Sequence, residues 1–293
     1  MTTDLLDPPT EATAPPVEAA PAGPPELVIG PRPAWGLTGL RELWRYRELL
    51  FFLAWRDVKV RYKQTVLGLG WAVLQPALLM LAFVGFLSKH AGLSSGDVPY
   101  PLFVLCGLVP WTLFATAVTA AANSVLASER LITKVYFPRL AVPFAAAGAA
   151  VVDFGVALVM LAAVVAAYGR PVGPQVLLAP VFMALVLLTA VGLGTLLSAA
   201  AVAYRDFKYV IPFVVQLGLF ATPSVYAVVS FGGGAEWGWA NPLTALVQGF
   251  RASVLGGPIP WPEVAASAAL AAGLFVVGCL YFRKVEDGFA DII

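Results

Sequence analysis

The chain has 293 residues, of which 60% are hydrophobic and only 12% are charged, compared with about 25% charged residues in soluble domains. A soluble chain this apolar could not cover its surface with polar groups, so composition excludes an ordinary soluble protein and predicts an integral membrane protein. The formal net charge of +1 indicates no particular partner, and we expect no nucleic-acid partner.

Residues 1–34 are rich in proline and alanine, with scattered acidic residues. Such a segment cannot bury a core, and we predict a disordered cytoplasmic tail. It lacks the basic region and apolar stretch of a signal peptide.

Residues 35–65 contain a predicted amphipathic helix, over 38–63. At 100° per residue, one face is apolar, with Leu40, Leu43, Trp44, Leu50, Phe51, Ala54, Trp55 and Val58. The opposite face carries Arg41, Glu42, Arg45, Glu48, Arg56, Lys59 and Lys63, while Arg47, Asp57 and Arg61 break the pattern. A basic helix with Trp and Phe is typical of one lying in the membrane interface. The alternative is an ordinary surface helix, which would need a soluble domain that the sequence does not suggest.

The remainder, residues 66–293, is predicted to be a transmembrane domain with a cytoplasmic C-terminal tail. Its long runs are uncharged apart from Asp153, and a membrane span needs about 20 apolar residues. We therefore predict an all-α fold with six spans, near 66–88, 101–125, 143–168, 175–201, 209–228 and 262–282.

Cations predict the orientation of these spans, because cytoplasmic segments are enriched in Lys and Arg. Leaving aside Arg32 in the predicted disordered tail, fourteen cations fall on the side that holds the segment before the first span, the loops after the second and fourth spans, and the C-terminal tail. The other side has three: Lys89, Arg170 and Arg251. Both termini are therefore predicted to be cytoplasmic.

The sequence of the connection at 229–261 predicts a short helix as well as loops. Asn241 and Pro242 resemble a helix start, and Gly256 resembles a helix stop. The roughly 14 residues between them are too few to span a bilayer. We interpret this helix as a re-entrant or interfacial element of an outer gate, and a lateral helix without a gating role is the alternative.

Asp153 is the one charged residue predicted deep within a span. Burying a carboxylate there costs about 2.5–3.5 kcal/mol on insertion scales, so Asp153 should face another helix, a subunit interface or water. Structural and functional roles both remain open. The sequence contains no nucleotide-binding loop and no cluster with metal-ligand spacing, so we expect no catalytic residue, cofactor or metal in this chain.

Several segments together resemble one transporter family, the permease subunits of bacterial ABC exporters for lipid-linked polysaccharides such as O-antigen, capsule and teichoic acid. These segments are 55–68 (WRDVKVRYKQTVLG) with Trp71, Gln75 and Pro76, then 134–139 (KVYFPR), 204–206 (YRD), 222–226 (TPSVY), 241–243 (NPL) and 286–293 (EDGFADII). The resemblance covers residues 40–293.

The resemblance implies a homodimer in the inner membrane, with six spans per copy and an interfacial N-terminal helix. It also implies two separate cytoplasmic ATPase subunits, which would bind ATP and magnesium. The cargo would be a lipid-linked glycan, such as one carried by undecaprenyl pyrophosphate. Membrane lipids complete the expected partners.

Two cytoplasmic sites are then hypothesised. A short helix that Pro138 ends would couple the permease to the ATPase, and the alternative is that its cations only fix topology. The coupling residues are Glu129, Arg130, Lys134, Tyr136, Phe137, Pro138 and Arg139. The substrate would enter at cations that attract pyrophosphate or, alternatively, anchor the chain to anionic lipid. The substrate-entrance residues are Arg56, Lys59, Arg61, Lys63, Leu67 and Gly68.

Two other functions remain open. One is an ABC permease for a drug or a small lipid. The other is a membrane-embedded glycosyl or acyl transferase, which the scarcity of intramembrane acids and histidines disfavours.

Overall fold

The computed structural model describes residues 38–63, 65–68, 70–90, 98–204, 206–226 and 241–289. These residues form helices and connecting turns, and no strand occurs among them. Four helices are long and apolar enough to cross a membrane: α4 (Tyr100–Ala127), α6 (Ala141–Ala167), α7 (Ala179–Ala203, preceded by a 3-10 turn at Pro174–Leu178) and α10 (Trp261–Val285). They coincide with four of the six predicted spans.

The other two predicted spans correspond to shorter apolar helices. Helix α3 is Gly70–His90 and α8 is Phe207–Ala221. The first span was predicted from residue 66, but residues 65–68 form a turn and Gly68 has a positive φ of 52°. That conformation suits glycine and ends helical geometry ahead of α3.

Helix α4 lies at the centre of the bundle. It packs against α6, α7 and α3, and almost its whole length is buried. Small residues allow this packing. A Cβ built on Gly194 of α7 would lie 2.6 Å from the Cβ of Ala121 in α4, so the two backbones approach closely, as is common for membrane helices.

The predicted helix over 38–63 is divided into α1 (Thr38–Arg45) and α2 (Arg47–Tyr62) by a turn at Tyr46. In a straight helix Leu43 and Leu53 would lie about 80° apart at 100° per residue. The turn lets both pack into one cluster with Phe137 and Leu140.

The predicted apolar face is only partly correct. Leu50 and Ala54 pack against that cluster, whereas Trp44, Phe51 and Trp55 are exposed. The aliphatic side of α2 packs on α6, where Ala54 lies beside Gly148.

The fifth predicted span ends earlier than expected. Helix α8 stops at Ala221, and residues 222–226 form turns. The short helix after it is confirmed as α9 (Pro242–Leu255), with the Asn241 side chain accepting a hydrogen bond from the Leu243 N–H. Gly256 follows with a φ of 75°, in the left-handed conformation that commonly ends helices.

Four predictions fall outside the described residues: the disorder of the tail at 1–34, the loop at 227–240, the cation Arg205 and the last residues, 290–293.

Candidate functional site

Asp153, the intramembrane acid, is paired with the end of α2. The Arg61 guanidinium forms an ion pair with one carboxylate oxygen, and the Tyr62 hydroxyl donates a hydrogen bond to the other. Asp153 lies 12 residues into α6, about 18 Å from its start at 1.5 Å per residue. The pairing therefore places Arg61 beside the middle of α6, although the sequence predicted Arg61 within a helix that lies in the membrane interface.

A polar cavity of about 330 Å³ adjoins this pair. It lies among the end of α2, α3, α4 and α6. Its polar lining consists of Arg61, Tyr62, Gln75, Thr112, Thr116 and Asp153, and Trp71 and Gly68 also line it. Two residues of the predicted entrance thus contribute to one cavity with Asp153.

The other cations predicted at the entrance have different surroundings. Arg56 forms an ion pair with its neighbour Asp57 at 2.8 Å. The Lys59 ammonium lies 5.7 Å from the centroid of the Trp55 ring, within the range of a cation–π interaction. Lys63 and Leu67 are exposed. The structure therefore does not gather these cations into one cluster.

A second cavity, of about 540 Å³, lies next to the first. Arg61 lines both cavities, and Arg56 lines only the second. Ala127 and Ser128, at the end of α4, also line it. The pair of cavities thus extends from the end of α4 towards the middle of the bundle.

The predicted coupling segment begins as helix α5 (Glu129–Lys134). Glu129, Arg130 and Lys134 are exposed, and so is Tyr136. The helix ends at Lys134 because Val135 adopts an extended conformation, so the prediction that Pro138 ends it is wrong. Ile132 is buried and anchors the segment.

The last three coupling residues pack inward. Phe137 and Pro138 are buried, and Phe137 lies in the same cluster as Leu43 and Leu53. Arg139 donates a hydrogen bond to the backbone carbonyl of Glu286, close to the end of the described chain. Four of the seven predicted residues are thus presented outward, and three tie the loop to the bundle.

The sequence interpretation missed Arg251, which it counted only as an outer cation. Arg251 is buried in α9 and donates hydrogen bonds to the carbonyls of Pro223 (3.2 Å) and Ser224 (2.7 Å). Its guanidinium carbon lies 3.8 Å from the centroid of the Phe103 ring. Burial lowers the pKa of Arg251 to about 10, so the side chain stays protonated near neutral pH. Its apolar neighbours in sequence, such as Phe250 and Val254, were the signal that could have revealed its burial.

The turn after α8 is held at three points, which we call the α8 clamp: Tyr100, Asn241 and Arg251. The Tyr100 hydroxyl donates to the Val225 carbonyl at 2.9 Å, and the Asn241 amide donates to the Thr222 hydroxyl at 2.9 Å. The helix that carries Arg251 is bounded by the predicted gate residues. It begins at Asn241 and Pro242 and ends at Gly256.

A third cavity, of about 570 Å³, lies between α6, α7 and α9. Its lining is almost entirely apolar, including Leu161, Val165 and Phe250, with Arg170 as the one charged residue. Such a lining suits hydrocarbon rather than a sugar.

Long apolar helices packed around α4, with charged side chains held between them, define a helical membrane protein. The chain belongs to the ABC-2 type transporter family, whose profile matches residues 48–255.

Its relatives include two proteins named O-antigen export system permease protein RfbA. The one from Myxococcus xanthus is 29% identical over 259 residues, covering 87% of this chain and 98% of that protein. One from Klebsiella pneumoniae is 26% identical, covering 84% and 95%. The polysialic acid transport protein KpsM of Escherichia coli is 29% identical over 84 residues, covering 29% of this chain and 31% of KpsM.

Proposed function

We propose that this chain is the transmembrane subunit of an ATP-driven exporter that moves lipid-linked polysaccharide outward across the bacterial inner membrane. The cargo would be an O-antigen-like glycan carried by undecaprenyl pyrophosphate. The observation that carries this proposal is similarity to an O-antigen export permease over 98% of that protein's length. The partial similarity to a polysialic acid transport protein favours the same class of cargo.

Deletion of the gene in its own host tests this function. We expect loss of the surface polysaccharide and accumulation of its lipid-linked precursor in the inner membrane, both reversed by restoring the gene. Unchanged surface polysaccharide, with lost efflux of a drug or small lipid, would favour the alternative permease function.

The assembly in this proposal is a homodimer with two cytoplasmic ATPase subunits. The ATPase subunits would bind ATP and magnesium and hydrolyse ATP, and this chain would supply the path through the membrane. Purification of the tagged chain in mild detergent should recover an ATPase subunit in equal amount. Recovery of the chain as a monomer without ATPase would contradict this assembly.

Each copy would cross the membrane six times, with both termini in the cytoplasm. Helices α3 and α8 would supply the two spans beyond the four long helices. Single cysteines test this topology, since Cys106 and Cys279 are buried. An impermeant thiol reagent should label Tyr168→Cys in intact cells and should not label Thr133→Cys. The reverse pattern would invert the proposed orientation.

We assign ATPase coupling to α5 and Tyr136. Glu129, Arg130 and Lys134 are exposed on a short helix anchored by Ile132, and such a helix can dock into a partner and transmit its movement. The double variant Glu129→Ala, Arg130→Ala should lose ATPase association and export. Thr133→Ala, on the same exposed helix, is the matched control. If the double variant keeps both properties, the coupling role is wrong.

We assign the substrate entrance to the end of α2 and the turn before α3, with Arg56, Lys59, Arg61, Lys63, Leu67 and Gly68. Cations there would attract the pyrophosphate of the cargo. Replacing Arg56, Lys59 and Lys63 with Gln should reduce export while the chain stays in the membrane. Unchanged export would instead favour anchoring to anionic lipid.

The outer gate is assigned to α9 with its two ends, Asn241, Pro242 and Gly256. In this proposal α9 lies on the outer side of the membrane, where a movement of the helix would control release of the cargo. Asn241→Ala removes both the helix cap and the hydrogen bond to Thr222 and should slow export. Normal export by this variant would favour a lateral helix without a gating role.

A further inference from the structure

The polar cavity carries no net formal charge among its lining residues. Arg61 and Asp153 are its two formally charged side chains, and they form an ion pair. A diphosphate needs uncompensated positive charge or many donors, so this cavity is poorly suited to the pyrophosphate of the cargo. Its ligand should be polar and neutral.

The remaining lining groups suit a polyhydroxylated ring. The Gln75 amide offers donors and an acceptor, and the hydroxyls of Thr112 and Thr116 offer lone pairs. The Thr112 hydroxyl donates to the Val109 carbonyl, which leaves its oxygen free to accept. Asp153 can accept further hydrogen bonds at the edge of the cavity, because a carboxylate has about four acceptor sites.

Aromatic surface completes this lining. Trp71 is exposed by about half of its surface, and Trp71, Tyr62 and Phe154 all line the cavity. The C–H groups on one face of a sugar ring are apolar and pack against aromatic rings. A few polar groups placed against such surface are characteristic of small-molecule sites.

The size of the cavity suits a small ring. Its volume of about 330 Å³ is enough for a single sugar ring but too small to hold a polymer, so the other units of a glycan would lie outside it. Arg61 also lines the neighbouring cavity, together with the ion-paired Arg56 and Asp57.

We propose that the cavity formed by Arg61, Tyr62, Trp71, Gln75, Thr116 and Asp153 binds one monosaccharide unit, the unit attached to the lipid diphosphate of the cargo. The inference rests on the proposed export of lipid-linked glycan. It assigns the paired Arg61 and Asp153 to sugar recognition, and leaves diphosphate recognition to the neighbouring cations.

The test compares three probes on the full chain reconstituted in lipid nanodiscs. One is farnesyl diphosphate, and the other two are farnesyl diphosphate carrying one N-acetylglucosamine and farnesyl diphosphate carrying one galactose. The wild-type chain should bind a sugar-bearing probe about tenfold more tightly than the sugar-free one, a difference of about 1.4 kcal/mol.

Three variants locate that preference. Gln75→Leu and Thr116→Val should reduce the tenfold preference to about threefold or less, without weakening binding of the sugar-free probe. Thr119→Val makes the same chemical change in α4 at a residue that does not line the cavity, and it should keep the preference. Thermal unfolding of each variant checks that the fold is intact.

The outcomes separate this inference from the proposed function. Equal affinity for all probes in the wild-type chain, or binding of none, overturns the sugar site. Equal weakening of all probes by Gln75→Leu would assign the cavity to the diphosphate instead. If gene deletion abolishes surface polysaccharide while the sugar makes no difference to binding, the export function stands and the sugar site fails.

Discussion

Two arginines, Arg61 and Arg251, occupy contrasting surroundings. Arg61 is half-buried, is paired with a carboxylate and lines two cavities. Arg251 is buried, contacts two carbonyls and an aromatic ring, and lines none of the three cavities described above. The same side chain thus borders open space at one site and fills space at the other.

This contrast distinguishes a residue that lines a ligand site from one that stabilises the fold. At Arg251 one guanidinium nitrogen donates to two backbone carbonyls, while the buried Nε has no hydrogen-bond partner among the described residues. The packing leaves no room for a ligand, since a Cβ built on Gly107 would overlap the Ser224 carbonyl. At Arg61 the charge is balanced, yet neighbouring polar groups face a cavity. We therefore expect substitutions at the α8 clamp to affect mainly stability, and substitutions at the polar cavity to affect mainly binding.

The largest effect is expected from Arg251→Met. The variant leaves the Pro223 and Ser224 carbonyls without their donor, and each unsatisfied buried group costs about 1–3 kcal/mol. We expect a stability loss of about 3 kcal/mol or more, measured by thermal unfolding of the purified chain. Arg170→Met, at the rim of the apolar cavity, is the control and should cost below about 1 kcal/mol. Equal stability of the two variants would remove the distinction between the two arginine sites.

Gly107→Ala should give the next largest effect. The added methyl group would force α4 away from the turn after α8, and overpacking of this kind costs about 1–3 kcal/mol. Gly155→Ala is the matched control, because nothing lies within 4 Å of its Cβ position. That control should be neutral or slightly stabilising by thermal unfolding. A stable Gly107→Ala variant would show that the turn after α8 can move away from α4 at little cost.

A smaller effect is expected from breaking the ion pair. Arg61→Gln leaves the Asp153 carboxylate without its cation, which should cost about 1–2 kcal/mol because the pair is partly exposed. Asp153→Asn combined with Arg61→Gln should recover part of that loss. The double-mutant cycle on thermal stability measures the coupling. Additive effects would mean that the two groups act independently.

The smallest effect is expected from Lys63→Gln. Lys63 is exposed at the end of α2, and surface substitutions usually change stability by less than about 0.5 kcal/mol. Thermal unfolding should therefore be unchanged, even if export slows. A large stability loss would show that Lys63, like Arg61, stabilises the end of α2.

Hydropathy and local signals were sufficient to predict much of the fold. Uncharged runs located α4, α6, α7 and α10, because a membrane span requires about 20 apolar residues in sequence. The Asn241 cap and Gly256 stop predicted α9, because capping depends on neighbouring residues. Local signals did not predict the end of α8 at Ala221, where distant side chains hold the following turn.

The candidate sites depended on contacts between distant residues, which one sequence does not reveal. The cost of burying Asp153 predicted a partner but did not identify Arg61, which lies 92 positions away. The burial of Arg251 was not predicted, because its hydrogen-bond partners lie 27 and 28 positions away. Phe137 and Pro138 were grouped with exposed residues, since nothing local distinguishes a docking aromatic residue from a buried one.

The bond between Arg139 and the Glu286 carbonyl has a practical consequence for protein engineering. Phe289 follows three residues later and packs edge-on against Phe282 at 5.2 Å, so this end of the chain is part of the packed bundle. An affinity tag fused directly behind Phe289 would disturb this packing, and through Arg139 it would also disturb the loop that follows α5. A purification tag is therefore better placed ahead of Thr38.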